Sequence, residues 1–178
     1  MWKWILFTLF LVSINVFSGC ITTKTKGKII LNDEYFQIAH KEVQEAKSSI
    51  YLIIYLFMLY DYEDAYPNRL LRDFIDAHNR GVNVNIILEY PKPEYIKEGE
   101  TLKNQDVFEK LKTAGINVRF DSPKRTTHSK VLVIDKETII LGSHNYSFDG
   151  LRYNNDTSVI IKDKGEAKKL IKYFENIE

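Results

Sequence analysis

The sequence predicts an α/β domain, a mixed β-sheet flanked by helices. Two observations lead there. Amphipathic stretches with apolar residues three and four apart alternate with short runs rich in Ile, Val and Leu. After residue 130 the alternation gives way to a strand-rich block, Val131-Leu-Val-Ile134 and then Thr138-Ile-Ile-Leu141. Near-continuous apolar runs of this length read as strands buried on both faces, so helices must cover both sides of the sheet.

Taken in order, residues 21–28 are a short polar linker. Glu34 to Lys47 reads as a helix, with Tyr35, Ile38, Ala39, Val43 and Ala46 on one stripe and Asp33 placed to cap it. Ile50 to Leu59 reads as a central strand. This setting assigns Tyr51, Tyr55 and Phe57 to the core rather than to a base-stacking platform. Asp61 to Pro67 is an acidic, aromatic loop, and Asn68 to Arg80 a second helix stopped by Gly81. Val82 to Leu88 is a strand, Pro91 to Gly99 a loop, and Leu102 to Ala114 a third helix stopped by Gly115. Ile116 to Phe120 is a strand. Lys136-Glu137 turns the chain between the two runs of the strand-rich block. Thr157 to Lys162 is a further strand, and Glu166 to Asn176 a closing helix whose lysines 168, 169 and 172 form a solvated face.

Size and charge limit the possibilities. The 178 residues suffice for one domain with a sizeable core, and no internal repeat is visible. Net charge is +1, and removal of Lys3 with the leader leaves 24 basic against 24 acidic residues. A globally basic surface is therefore absent, although Lys124, Arg125, Lys130, Lys136 and Arg152 gather in the second half. Cys20 is the single cysteine, which excludes an intrachain disulfide. The four histidines lack cysteine partners or ligand spacing, so no metal site and no cofactor is expected.

Residues 1–20 read as a membrane-targeting address. Lys3 precedes an apolar run from Ile5 to Phe17, short for a bilayer span but right for a signal-peptide core. Ser18-Gly19-Cys20 resembles the bacterial lipoprotein cleavage box, in which the cysteine becomes the lipidated first residue. An uncleaved signal anchor is the alternative. Both place the domain outside the cytoplasm, tethered to a membrane through its N-terminus.

The chemistry concentrates in one stretch. His128 and Lys130 form an H-x-K pair, Asp135 follows, then Gly142, Ser143 and Asn145 as G-S-x-N, and later Asn154 and Asp156. Side chains two apart on a strand share a face, so His128 and Lys130 point to one side, continued by Leu132 and Ile134. An H-x-K pair alone marks no more than a polar strand end. Here an imidazole, an ammonium, a hydroxyl and a carboxamide gather within 18 residues. A buried strand that opens on two polar side chains needs a reason, because an unpaired buried charge is costly.

In this stretch the chain resembles the phospholipase D superfamily, whose pattern is H-x-K-x(4)-D-x(6)-G-S-x-N; the spacing matches without a gap. Arg80-Gly-Val-Asn-Val84 and Thr113-Ala-Gly-Ile-Asn-Val118 resemble two further units of the family, so the likeness covers about residues 30 to 178. The resemblance implies a phospholipase D/nuclease-like fold over residues 29–178 and a metal-independent phosphodiesterase. It implies that His128 attacks phosphorus, that Lys130 and Asn145 grip the non-bridging oxygens, and that Ser143 adds a donor. Asp156 stands where the family usually has glutamate, and would orient and charge-balance His128. Asp135 would mainly hold strand and loop together. A single motif copy resembles the branches that pair two identical subunits around a composite site. The best functional reading is an endonuclease on DNA or RNA. The alternative is a phospholipase D acting on membrane phospholipid. A third reading is a catalytically inactive module that binds nucleic acid or lipid, against which the complete set of catalytic positions argues.

Overall fold

The computed structural model describes residues 27–91 and 103–178. The leader at residues 1–20, the proposed lipidation site Cys20 and most of the Pro91–Gly99 loop lie outside them. The described chain runs β1 (Gly27–Leu31), α1 (Glu34–Gln44), β2 (Ser49–Ile54), α2 (Tyr66–Asn79), β3 (Asn83–Leu88) and α3 (Gln105–Thr113). It continues through β4 (Asn117–Phe120), β5 (Lys130–Ile134), β6 (Thr138–Gly142), α4 (Phe148–Arg152), β7 (Thr157–Lys162) and α5 (Lys164–Glu175).

One seven-stranded sheet has the order β1-β7-β6-β5-β2-β3-β4. β2, β3 and β4 are parallel, joined through α2 and α3, while β5, β6, β7 and β1 pair antiparallel. The sheet is therefore mixed, as the sequence predicts. Strand periodicity splits its side chains cleanly. Leu52, Ile54, Ile86, Leu88, Leu132, Ile134 and Ile140 face one core with α1, α2, α3 and α4. Ile53, Ile87, Val131, Val133 and Ile139 face α5 on the other side.

Gly81 and Gly115 end their helices as expected. Both have positive φ, at 91° and 82°. Val82 N–H then donates back to Ala77 O, and Ile116 N–H to Leu111 O, closing the last helical turn.

Three local readings are corrected, and one element is new. Asp33 does not cap α1: it is αR and its side chain accepts no cap hydrogen bond. The Glu34 carboxylate accepts from Leu31 N–H at the end of β1. The hairpin between β5 and β6 turns one residue earlier than Lys136-Glu137, with Asp135 and Lys136 at φ 52° and 57° and Glu137 N–H donating to Ile134 O. That pair of positive φ values is the hairpin turn whose twist suits antiparallel strands. The segment read as linker gives its last two residues to the edge strand β1, held by pairing with β7 rather than by its own pattern. Helix α4 was not foreseen. It is one short turn, with the Ser147 side chain accepting from Gly150 N–H at 3.1 Å.

Candidate active site

The strand ends converge at one edge of the sheet. Lys130 opens β5 opposite Ile54, the last residue of β2. The C-terminal ends of β3 and β4 lie beside it, since β2, β3 and β4 run parallel. Gly142 ends β6 opposite Ser158, next to the start of β7. Ligand-directed groups in open α/β sheets collect at such strand ends, because the connecting loops there are free to carry polar side chains.

His128 is exposed just ahead of β5, while Lys130 is only 6% exposed. The Lys130 ammonium lies 3.2 Å from His128 Nδ1 and 3.3 Å from Nε2, and donates to the His128 carbonyl oxygen at 2.8 Å. The tertiary structure therefore joins the two residues that alternate along the chain. Partial withdrawal from water lowers the His128 pKa, and the Lys130 charge lowers it further. Burial also lowers Lys130, opposed by the negative field of Asp156. The outcome is an imidazole biased toward its neutral, nucleophilic form beside a fixed cation.

A buried acid pins the backbone before His128, and a second one pins the end of β3. Glu89, just beyond β3, accepts from Thr127 N–H at 2.5 Å. Asp121, just beyond β4, accepts from Tyr90 N–H at 2.6 Å. Asn104 is 3% exposed and ties three segments together. It accepts from Phe57 N–H and donates to the carbonyls of Tyr55 and Glu89.

The G-S-x-N segment is laid alongside the continuation of β2. Tyr146 N–H donates to Leu56 O, and Met58 N–H to Tyr146 O, both at 2.8 Å. Asn145, half-buried, keeps an Oδ1 with no hydrogen-bond partner among the described residues. Gly142 is required by close approach: a Cβ there would fall 2.1 Å from Ser158 Oγ and 2.3 Å from Thr157 O. The Ser143 hydroxyl donates to Asp156 at 2.5 Å and accepts from Thr157 N–H at 3.0 Å. Asp156 thus reaches Ser143, and no hydrogen bond joins it to His128 among the described residues.

Asp135 is not brought to this cluster. It sits at the far end of β5, where its carboxylate accepts from the backbone N–H groups of Lys47, Ser48 and Ser49 and from the Ser48 hydroxyl. It clamps the α1–β2 connection to the hairpin.

Two site residues were missed. Tyr55, assigned to the core with Tyr51 and Phe57, lies against His128 with ring centroids 4.4 Å apart, and Lys130 Nζ is 4.9 Å from its ring centre. Phe57 is fully buried, as expected, and Tyr51 packs on Phe174 of α5. Strand periodicity could not separate Tyr55 from these, because β2 ends at Ile54, one residue earlier. The other is His144, the x of G-S-x-N. It is fully buried, its Nε2 donates to Asn32 O, its Nδ1 accepts from Ser158 Oγ, and its ring stacks on Tyr35. It is a structural histidine that locks β1 to the site loop.

Beside His128 runs a groove of about 600 Å³ lined by Ser122, Lys124, Arg125, Thr127 and, from the end of α5, Tyr173 and Asn176. Lys124 and Arg125 stand at the site as the sequence suggests, whereas Lys136 lies in the hairpin turn at the opposite end of the sheet. Among the described residues, no group of three or more His, Cys, Asp or Glu side chains is arranged to hold a metal ion.

Comparison with known proteins places this geometry. Residues 40–178 match the family model described as cardiolipin synthase, PLD-like domain. The chain is 28% identical over 131 residues to a phospholipase D of Rickettsia prowazekii, covering 74% of this chain and 56% of that protein. It is 29% identical over 100 residues to the mitochondrial cardiolipin hydrolase of Canis lupus familiaris, covering 56% of this chain and 36% of that protein. The chain spans about half the length of the curated relatives it matches. Among solved structures it is similar to the phospholipase D family member Nuc from Salmonella typhimurium, with a TM-score of 0.69, 18% identity, and coverage of 85% of this chain and 94% of that one.

Proposed function

We propose, from the premise that this chain belongs to the phospholipase D superfamily, that it is a metal-independent phosphodiesterase acting through a phosphohistidine, and that its substrate is nucleic acid. The observation that carries the substrate reading is the groove beside His128. Its walls carry the hydroxyls of Ser122, Thr126 and Thr127 and the cations of Lys124 and Arg125, with Tyr173, Ile177 and Glu178 on the side of α5. Such a wall suits a polyanionic backbone that continues on either side of the scissile phosphate.

In this reading the His128 imidazole forms an N–P bond as the P–O bond to the leaving group breaks. The leaving oxygen takes its proton from His128 of a second, identical subunit. That residue then removes a proton from water, whose oxygen attacks phosphorus and releases His128. Splitting the displacement this way is covalent catalysis with an imidazole poised near the working pH. Lys130 and Asn145 of both subunits supply the donors that stabilise the transferring group. Ser143 holds Asp156, and Asp156 balances the Lys130 charge. Asp135 serves the fold.

The N-terminal segment fits the same reading as a membrane tether, whether lipidated at Cys20 or uncleaved. The chain enters the domain at Gly27, which pairs with Ile161, while the other end of β1, Leu31, pairs with Thr157 at the catalytic edge. The tether therefore joins the domain about 15 Å from the catalytic edge, a strand's length. Phospholipase D activity is the second reading, favoured by the likeness to a phospholipase D and a cardiolipin hydrolase.

The deciding experiment incubates the full-length protein in EDTA with labelled DNA and RNA oligonucleotides and, separately, with phosphatidylcholine and cardiolipin vesicles. Cleaved oligonucleotide with intact lipid is the expected result. Phosphatidate release with intact oligonucleotide would replace the nuclease reading by the phospholipase one.

A further inference from the structure

We propose that Tyr55 is a positioning residue for this site: a single aromatic ring, mounted on a fixed backbone, that holds the His128 imidazole and the Lys130 ammonium in register. The proposal rests on the assignment of His128 and Lys130 to the chemistry.

The backbone of Tyr55 is fixed on both sides. Its N–H donates to Ser129 O at 3.1 Å, the peptide between His128 and Lys130. Its carbonyl accepts from the buried Asn104 amide at 3.1 Å. Asn104 adopts a left-handed conformation, φ 65°, to reach Tyr55, Phe57 and Glu89 at once. The ring thus stands on the same short segment that positions the H-x-K pair.

Its contacts match what the pair needs. Lys130 is nearly buried, and no carboxylate pairs with it directly among the described residues; Asp156 acts only through its field. A desolvated ammonium without an ion-pair partner is costly. The electron-rich face of an aromatic ring offsets part of that cost, more so when water is excluded. Lys130 Nζ lies 4.9 Å from the Tyr55 centroid, and Lys103 Nζ 5.5 Å. The same ring lies against His128 at 55°. An exposed histidine ahead of a strand has several rotamers to choose from, and the ring removes some of them. In-line attack on phosphorus tolerates little misplacement. Lys130, Lys103 and His128 all lie around the ring, so its contacts are made to protein groups.

The hydroxyl of Tyr55 has no part in this, so Tyr55→Phe should behave as wild type and a non-aromatic residue should not. The test uses the full chain and bis(p-nitrophenyl) phosphate, a substrate neutral between the nuclease and phospholipase readings. Tyr55→Phe is expected to keep kcat within about threefold. Tyr55→Leu is expected to lose about 10- to 100-fold in kcat with KM little changed. In the same variant the acid limb of the rate profile, and the His128 imidazole followed by NMR, should move to higher pH. Both causes agree in sign: the ring's share of withdrawal from water is lost, and Lys130 is no longer held beside the imidazole. Tyr55→Met carries the same expectation should Tyr55→Leu fail to fold by circular dichroism. A Leu or Met variant with wild-type kcat and an unmoved acid limb would overturn the proposal, as would a loss confined to KM or a Phe variant as impaired as Leu. His128→Ala is the control. If it stays active, the site assignment itself falls; if it is inactive while Tyr55→Leu is normal, only the role of Tyr55 falls.

Discussion

The Lys130 ammonium lies almost equidistant from the two ring nitrogens of His128, at 3.2 and 3.3 Å, and bonds the carbonyl of the same residue at 2.8 Å. Two groups that both take up protons are thus held together without a carboxylate between them. Partial desolvation and the neighbouring cation both lower the His128 pKa. The imidazole should therefore titrate below its ordinary value of about 6.5. Replacing Lys130 by Met removes the repulsive charge and should raise the His128 titration point, read by NMR. A His128 pKa above the ordinary value in the wild type would contradict the geometry.

His128→Ala and Lys130→Ala should each lower turnover by about 10³-fold or more, roughly 4 kcal/mol in barrier, with circular dichroism unchanged. Neither side chain belongs to the apolar cores. His128→Ala activity within about tenfold of wild type, or about 1.4 kcal/mol, would remove His128 from the chemistry.

Turnover should persist in excess EDTA. The donors placed at the site are an ammonium, a carboxamide and hydroxyls, and these stabilise phosphoryl charge directly. Loss on chelation, with rescue by added magnesium or zinc, would refute this.

Asp135→Asn should destabilise the fold by about 1.5–3 kcal/mol, the range for hydrogen bonds to a charged group, while kcat of the folded protein stays near wild type. Burial raises the Asp135 pKa, but the hydrogen bonds from Ser48, Ser49 and Lys47 outweigh it and hold the carboxyl below its usual range. A carboxyl depressed in the folded state stabilises fully above its unfolded pKa, about 3.9, and that stability is lost as pH falls through the lower folded value. The gap in melting temperature between wild type and Asp135→Asn should therefore be present at pH 7 and close in the acid range. An equal gap at pH 7 and at pH values below both carboxyl pKa values would contradict the clamp.

The protein should form a homodimer in which each subunit contributes one His128. Self-complementary contact is the rule for twofold pairs, and the loops at residues 142–146 and 152–155 are expected near the axis. Tyr153, 62% exposed, and Tyr62, 47% exposed, both pack against Phe148 and form an aromatic patch beside these loops. Tyr153→Asp should weaken the dimer in sedimentation and lower activity in parallel, and inorganic phosphate should oppose the weakening by mass action. A wild-type monomer, active where no dimer is detectable, would refute the composite site.

Much of the fold was legible because it depends on local pattern. Gly81 and Gly115 mark helix ends, since positive φ suits glycine. The apolar runs 131–134 and 138–141 mark β5 and β6. β1 was not legible because it is an edge strand held by pairing with β7, and α4 was not because a single five-residue turn is too short to show a helical period. Asp33 satisfied the composition rule for a cap, yet its backbone is already αR and its side chain accepts no cap hydrogen bond.

By itself the sequence determined the family, the mixed sheet with helices on both sides, and the shared face of His128 and Lys130, because spacing along a strand translates directly into direction. Only the tertiary structure decided that Asp135 clamps residues 47–49 away from the site, that Tyr55 stands against the catalytic pair, and that His144 is a buried lock between β1 and the loop. The physical reason is sequence separation. The Asp135–Ser48 bonds span 87 positions and the His144–Asn32 bond 112. Contacts of that range follow from how strands are ordered in the sheet, which no local periodicity encodes.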